Sequence, residues 1–248
     1  MKKRRRNKYD LYAAFVVIIA VLMALFGYGN QLQLSDVIDL NNDAAFQSIG
    51  SADNLDNIPE YGDEPYVIVN ANEPYFTDEE IKRQSFEYYP NLDYLGRCGV
   101  CTACIGTDLM PTEKRGSIGM VKPSGWHTVR YDELVDGKYL YNRCHLIGFQ
   151  LAGENANELN LITGTRYMNT IGMLPFENMV AEYVKNTQNH VMYRVSPIFQ
   201  GENLVASGVL MEAKSVEDGG EGIKFNVYCY NVQPGIAINY ENGDSFVE

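Results

Sequence analysis

Residues 141–160 read YNRCHLIGFQLAGENANELN. The turn signal Asp136–Gly137 and the alternation through KYLYNRCH predict a strand pair, and His145 sits near the end of a strand. Beyond it the chain runs through an apolar stretch into a segment crowded with Asn, Glu and Gly. A histidine placed at a strand end that leads into a loop and a helix is a candidate general base while its pKa stays near 6.5. Of the three histidines, this one has surroundings least like ordinary core. His127 and His190 read as structural.

Working outward, FENMVAEYVKNT (176–187) predicts a helix with Phe176, Met179, Val180 and Tyr183 on one face. HVMYRVSPIF (190–199), NLVASGVLMEAKSV (203–216) and IKFNVYCYNV (223–232) alternate between turn signals and predict antiparallel strands. On the N-terminal side, PYVIVNANEPYF (65–76) reads as a strand stopped by NANEP. FTDEEIKRQ (76–84) carries a helix start, with Thr77 as N-cap and Glu80 three residues on. Residues 91–130 are punctuated by Gly and Pro and predict loops and short strands. The expected architecture is one α+β domain over 65–248, with an antiparallel β-sheet core.

The formal charge of −12 over 248 residues speaks against a general nucleic-acid coat protein, since such proteins are usually basic. The acidity is uneven. Residues 31–90 hold thirteen Asp/Glu against two Lys/Arg, whereas residues 91–200 hold ten of each. A polyanionic substrate therefore stays open to the second segment. Residues 30–64 are polar and acidic without sustained period and read as a flexible tether. Ahead of them, KKRRRNK is a basic cytoplasmic segment within 1–10. Residues 11–29 (LYAAFVVIIAVLMALFGYG) carry no charge and, as a helix, would span about 28 Å, close to the hydrocarbon thickness. They predict a transmembrane signal-anchor with the C-terminal domain exported; no small-x-small cleavage site precedes Gln31.

The five cysteines are Cys98, Cys101, Cys104, Cys144 and Cys229. CGVCTAC (98–104) has the spacing of half a zinc knuckle, with His127 as a fourth ligand. No second pair follows at zinc-ribbon spacing, so a disulfide or plain buried thiols are favoured, and the odd count leaves at least one thiol free.

Downstream of His145 stand Asn160, Asn169 and Glu177. On one regular helix, eight residues separate Asn169 and Glu177 by roughly 800°, which leaves their side chains about 80° apart. Pro175 in GMLP is expected to bend the segment. A few oxygen ligands, some of them neutral, suit Mg²⁺, which keeps most of its waters. A histidine base opposite such a metal is an arrangement for cleaving phosphodiesters.

The stretches YLYNRCHLIGFQLAG, NLITGTRYMN and PFENMVAEYV together resemble the DNA/RNA non-specific endonuclease family, the ββα-metal or His-Me finger nucleases, and in particular the secreted and surface-anchored DNases of Gram-positive bacteria. The resemblance runs from about Leu95 to about Tyr240. The family motif Asp-Arg-Gly-His falls on Asn142, Arg143, Cys144 and His145, so two of its four residues differ. The resemblance implies an antiparallel sheet core carrying a ββα-metal finger. It also implies a hydrolase in which His145 is the base, Asn169 and Glu177 belong to the metal site, and Asn160 positions the site. Mg²⁺, with Mn²⁺ as substitute, is the implied cofactor, and DNA and also RNA the substrates, cut to leave 5′-phosphate ends.

Arg143 is expected on the strand face opposite His145, as an ion-pair partner at the core edge or as a phosphate contact. Arg166 is read as a phosphate contact. Lys114, Arg115 and Lys122 form a basic stretch suited to phosphates without base readout. Trp126 is read as core. A base with an ordinary pKa predicts that activity falls below about pH 6.5. No protein partner is evident beyond the membrane. Two other readings compete. A Cys144–His145 thiol hydrolase fails because strand neighbours face opposite ways. A non-catalytic surface nucleic-acid-binding protein would keep the fold but need neither His145, Asn169 nor Glu177.

Overall fold

The computed structural model describes residues 58–248; the basic segment 1–10, the expected anchor 11–29 and most of the tether lie outside them. Among the described residues no helix is long and apolar enough to cross a membrane.

Six strands form the main antiparallel sheet, in the order β1 (Tyr66–Ile68), β8 (Lys224–Tyr230), β7 (Gly208–Ser215), β6 (Val191–Ile198), β3 (Cys101–Ile105), β2 (Phe86–Tyr88). The expected strands of the C-terminal half are present, joined as hairpins with Val191 opposite Ser215 and Gly208 opposite Tyr230. Their alternating apolar residues are buried, Met192, Val209, Met211, Phe225 and Val227 among them. A two-stranded ribbon, β4 (Tyr141–His145) with β5 (Leu161–Thr165), stands apart from that sheet, and a small pair β9 (Ile236–Ile238) and β10 (Ser245–Val247) closes the chain. The short helix α1 (Phe149–Ala152) follows β4; α2 (Leu174–Thr187) follows β5.

Helix α2 buries Phe176, Val180 and Val184 with Glu177 and Ala181. Met179 and Tyr183, expected on the same face, are only half-buried. The Phe176 ring lies 4.9 Å from both Tyr66 and Phe225, which joins the helix to β1 and β8.

Two N-terminal expectations change. The strand at 65–76 ends at Ile68, because Asn70, Ala71 and Asn72 all take positive φ, which no strand tolerates. The helix at 76–84 is absent. Its capping pair does form, with Thr77 N donating to Glu80 Oε2 at 2.9 Å, but the turn goes no further. Glu80 is held instead by Arg194 (2.9 Å), which also binds the buried Glu212 (2.8 Å). That cross-sheet network replaces the helix as the segment's anchor. The packed region also begins upstream of residue 65: Ile58 and Tyr61 pack against Val69, Tyr228 and Tyr230, and Tyr230 Oη donates to Pro59 O at 2.8 Å.

All five cysteines are free and buried. Burial pushes the Cys98 and Cys104 thiols up to about 12. Among the described residues no group of three His, Cys, Asp or Glu is placed to hold a metal ion, which removes the zinc-knuckle reading. His127 instead bonds Asn242 O at 3.0 Å, and His190 bonds Glu217 at 2.7 Å.

Candidate active site

The ribbon presents the candidate base. His145 pairs with Leu161 at the end of the β4–β5 ladder, and one buried amide holds the chain where it leaves the strand. Asn160 Oδ1 accepts from Ile147 N at 2.8 Å, and its Nδ2 donates to Ile147 O at 2.9 Å. Leu146 N donates to Asn160 O at 2.9 Å. With 0% exposure and both ends of its amide engaged, Asn160 cannot touch a substrate. Its amide is placed to hold the chain beside His145 rather than to meet a substrate.

His145 itself is 5% exposed. Its Nε2 bonds Asn155 O at 2.8 Å, and its Nδ1 bonds Arg115 Nη2 at 3.2 Å. A carbonyl can only accept and a guanidinium can only donate. The ring is therefore neutral, with its proton on Nε2 and a lone pair on Nδ1. Burial, and then the Arg115 charge, hold its pKa down at about 4.

The segment after β5 opens as a π-turn, Met168–Met173, in which Leu174 N donates to Asn169 O. It becomes α-helical at Leu174, with Pro175 in the first turn, where its missing N–H costs nothing. The wider i→i+5 turn replaces the regular-helix phase assumed between Asn169 and Glu177, and such turns recur at functional sites. Asn169 Oδ1 accepts from the Cys144 thiol at 2.9 Å. Glu177 is buried, and Oε2 accepts from Gln150 Nε2 at 3.0 Å. Desolvation raises its pKa to about 7, opposed by Gln150 and by the Arg115 charge. Gly148 leaves room for it: a Cβ there would come within 2.8 Å of that carboxyl group, which would have to shift.

Asn169 also lines a cleft of about 490 Å³ with Arg115, Trp126, Tyr139, Asn142, Arg143 and Arg166 among its walls. The structure thus brings together His145, Arg115, Asn169, Arg143 and Arg166, because Arg115 both bonds the base and lines the cleft. Arg143 is two residues from His145, so strand alternation places them on one side and Cys144 on the other. The expected opposite-face placement is corrected. Among the described residues Arg143 makes no ion pair; Nη2 donates to Gly119 O at 2.9 Å, Nε donates to Val121 O, and the guanidinium lies 4.0 Å over the Trp126 ring. Lys122 is exposed and outside the cleft wall. Trp126, read as core, packs against the Val135, Leu140, Tyr141 and Ile236 cluster and lines the cleft as well; Asn142, Gln150 and Asn155 stand beside the residues expected in the site. Asn142 was legible as a motif position; the other two carry no local signal.

The donor set fits a hard divalent cation. Asn169 offers a neutral amide oxygen in the cleft, and Glu177 a buried carboxylate whose pKa is raised chiefly by desolvation. Such a pair suits an ion that keeps several waters, whereas a thiolate-bound zinc does not fit: burial holds the Cys144 thiol well above its ordinary pKa.

A family model described as DNA/RNA non-specific endonuclease matches residues 77–217, more than half of the chain. The chain belongs to that family. A curated deoxyribonuclease of Streptococcus dysgalactiae subsp. equisimilis is 35% identical over 115 residues, 44% of this chain. The match spans 34% of that relative, about a third of its length. Among solved structures, NucA from Streptococcus agalactiae with no metal bound superposes with a TM-score of 0.66 at 24% identity, covering 78% of this chain and 92% of that one. The Sda1 nuclease with a bound zinc ion follows at 0.55 and 28% identity, covering 66% and 81%. The α+β fold with an antiparallel sheet core is common to them.

Proposed function

We propose that this chain is a divalent-metal-dependent endonuclease that hydrolyses phosphodiester bonds of DNA, and of RNA, with little sequence preference. One arrangement supports this above the rest: a buried histidine held neutral by a carbonyl and an arginine, its lone pair facing Arg115, which lines a cationic cleft that also contains Asn169. A surface protein that only bound nucleic acid would need no such base. The deoxyribonuclease relative supports DNA as substrate, and zinc-bound Sda1 supports a divalent cation.

In the proposed reaction Arg115, which is exposed, leaves Nδ1 for a phosphate oxygen and uncovers the lone pair. His145 Nδ1 takes a proton from water as the water oxygen bonds phosphorus. The bond from phosphorus to the 3′-oxygen breaks, that oxygen takes a proton from solvent, and the products carry 5′-phosphate and 3′-hydroxyl ends. The Asn155 carbonyl, bonded to Nε2–H, steadies the imidazolium. Asn169 and Glu177 would hold Mg²⁺, with Mn²⁺ as substitute, and Gln150 orients the Glu177 carboxylate. The bound ion supplies positive charge against the negative charge that develops on the phosphate. Residues 11–29 would keep the enzyme at the cell membrane with this domain outside, or release it where they are cut; free nucleic acid is then the substrate it meets.

Products from a labelled DNA duplex and from RNA test the chemistry. The expected ends are 5′-phosphates that a ligase joins without prior phosphorylation; 3′-phosphate ends would overturn this route.

The acid limb of activity is assigned to Glu177, not to His145. His145 stays neutral down to about pH 4, which corrects the expected fall at 6.5. Glu177 takes a proton as pH drops through about 7, and a protonated carboxyl does not hold a cation. Activity should therefore fall below about pH 7, with the midpoint moving lower as Mg²⁺ is raised, read from kcat/KM against pH at low and high Mg²⁺. A midpoint indifferent to Mg²⁺ contradicts the assignment.

The same shifts give opposite stability slopes in the metal-free protein. Glu177, with its folded pKa raised, contributes stability that is lost as pH rises from about 4.5 through about 7. His145, with its folded pKa lowered, contributes stability that is lost as pH falls from about 6.5 to about 4. Melting curves should separate them: the Tm of His145→Gln declines more steeply toward neutral pH than that of wild type, and Glu177→Gln reverses the slope. Parallel curves for all three proteins contradict both shifts.

A further inference from the structure

The cleft beside the base is more basic than a single scissile phosphate requires. Arg115, Arg143 and Arg166 line it, and no carboxylate is among the lining residues, although the whole chain carries −12. Arg115 accounts for the phosphate at His145. Arg143 is fixed elsewhere in the wall, over the Trp126 ring and tied to two backbone carbonyls. Arg166 is held on one side only, by the exposed Asp136 at 3.4 Å. Three N–H groups of the same walls, Trp126 Nε1, Asn142 Nδ2 and Arg166 Nε, are buried without a hydrogen-bond partner among the described residues. All three are donors. A wall with three guanidinium groups, three unpaired donors and no carboxylate suits an oxyanion. The motif residue at position 142 adds to this, since Asn puts an amide where a carboxylate would repel an anion.

We propose that the Trp126–Arg143–Arg166 side of the cleft is a second phosphate subsite, taking the phosphate next to the bond that is cut. The substrate is then a strand with at least two consecutive phosphates, and Arg166 is the residue that enforces it. This rests on the nuclease reading. Replacement of Arg166 is compatible with folding, because the residue's backbone N–H to Leu140 O (2.7 Å) is independent of its side chain.

The test compares TpT, which has one phosphodiester, with TpTpT, using wild type, Arg166→Gln and Arg166→Lys with Mg²⁺ present. Wild type should favour TpTpT in kcat/KM by about tenfold or more, the worth of one charge-assisted contact. Arg166→Gln should collapse that ratio towards one, chiefly through KM, and Arg166→Lys should keep most of it. A wild-type ratio near one, or a ratio that survives in Arg166→Gln, overturns the subsite. Fluorescence anisotropy with a labelled oligothymidylate in EDTA separates the two levels of the argument. If wild type binds but cuts nothing, the nuclease reading fails, and the subsite stands only if Arg166→Gln lowers the salt slope of binding by about one. An unchanged slope, or no binding at all, overturns it.

Discussion

His145→Ala should cut the rate of phosphodiester cleavage by about two to four orders of magnitude, the usual worth of a positioned general base. The loss belongs in kcat, because His145 is 5% exposed and contributes little to binding. Arg115 remains in the cleft wall, so oligonucleotide affinity should stay near that of wild type. Losing the ring also frees Arg115 from Nδ1 and leaves the Asn155 carbonyl without its 2.8 Å donor. A modest drop in stability is therefore expected beside the loss of rate. Single-turnover cleavage, with affinity measured in EDTA, separates the two. A variant that retains more than about a tenth of the rate would mean that another group takes the proton.

Asn160→Ala should be among the most destabilising single changes near the site. It removes a side chain with 0% exposure that satisfies both the N–H and the C=O of Ile147. Each buried backbone group left unpaired costs about 1–3 kcal/mol, so a total of roughly 2–6 kcal/mol is expected for the two. At about 2–4 °C per kcal/mol for a domain of this size, the Tm should fall by roughly 4–24 °C. Activity should fall with it, since Ile147 is two residues from the base. Asn160→Asp keeps the acceptor for Ile147 N but sets a buried carboxylate oxygen against the Ile147 carbonyl, so it should cost at least as much at neutral pH. Equal Tm for Asn160→Ala and wild type would show that the amide clamp is dispensable.

Much of the fold was legible because its signals are local. The hairpins of β6, β7 and β8 alternate over seven or eight residues each, and β4 follows a Gly137 turn with φ of 77°, although its partner is β5, Leu161–Thr165, which was not among the expected strands. The strand after residue 65 and the helix after 76 were misread where local signals lost to tertiary ones. Asn70–Asn72 leave the strand region, and Glu80 is drawn to Arg194 across the sheet. In the site, His145, Asn169 and Glu177 could be named from spacing and motif. What surrounds them could not. The Arg115–His145 bond joins residues 30 apart, and Gln150–Glu177 joins residues 27 apart. The displaced pKa values of His145 and Glu177 follow from burial, which no spacing states. Trp126 looks like core in any sequence, and only the Arg143 stack against it reveals a cleft wall.

The central claim is metal-dependent cleavage at the Asn169 and His145 site. It is tested most directly by following supercoiled plasmid with the purified protein at neutral pH, in Mg²⁺ and in EDTA, for wild type and Asn169→Ala. The account predicts nicking and then degradation by wild type in Mg²⁺, with neither in EDTA nor in the Asn169→Ala protein at equal Mg²⁺. Plasmid that stays intact with wild type under Mg²⁺ and Mn²⁺ while still binding the protein would contradict it, and would leave a nucleic-acid-binding protein on a nuclease fold.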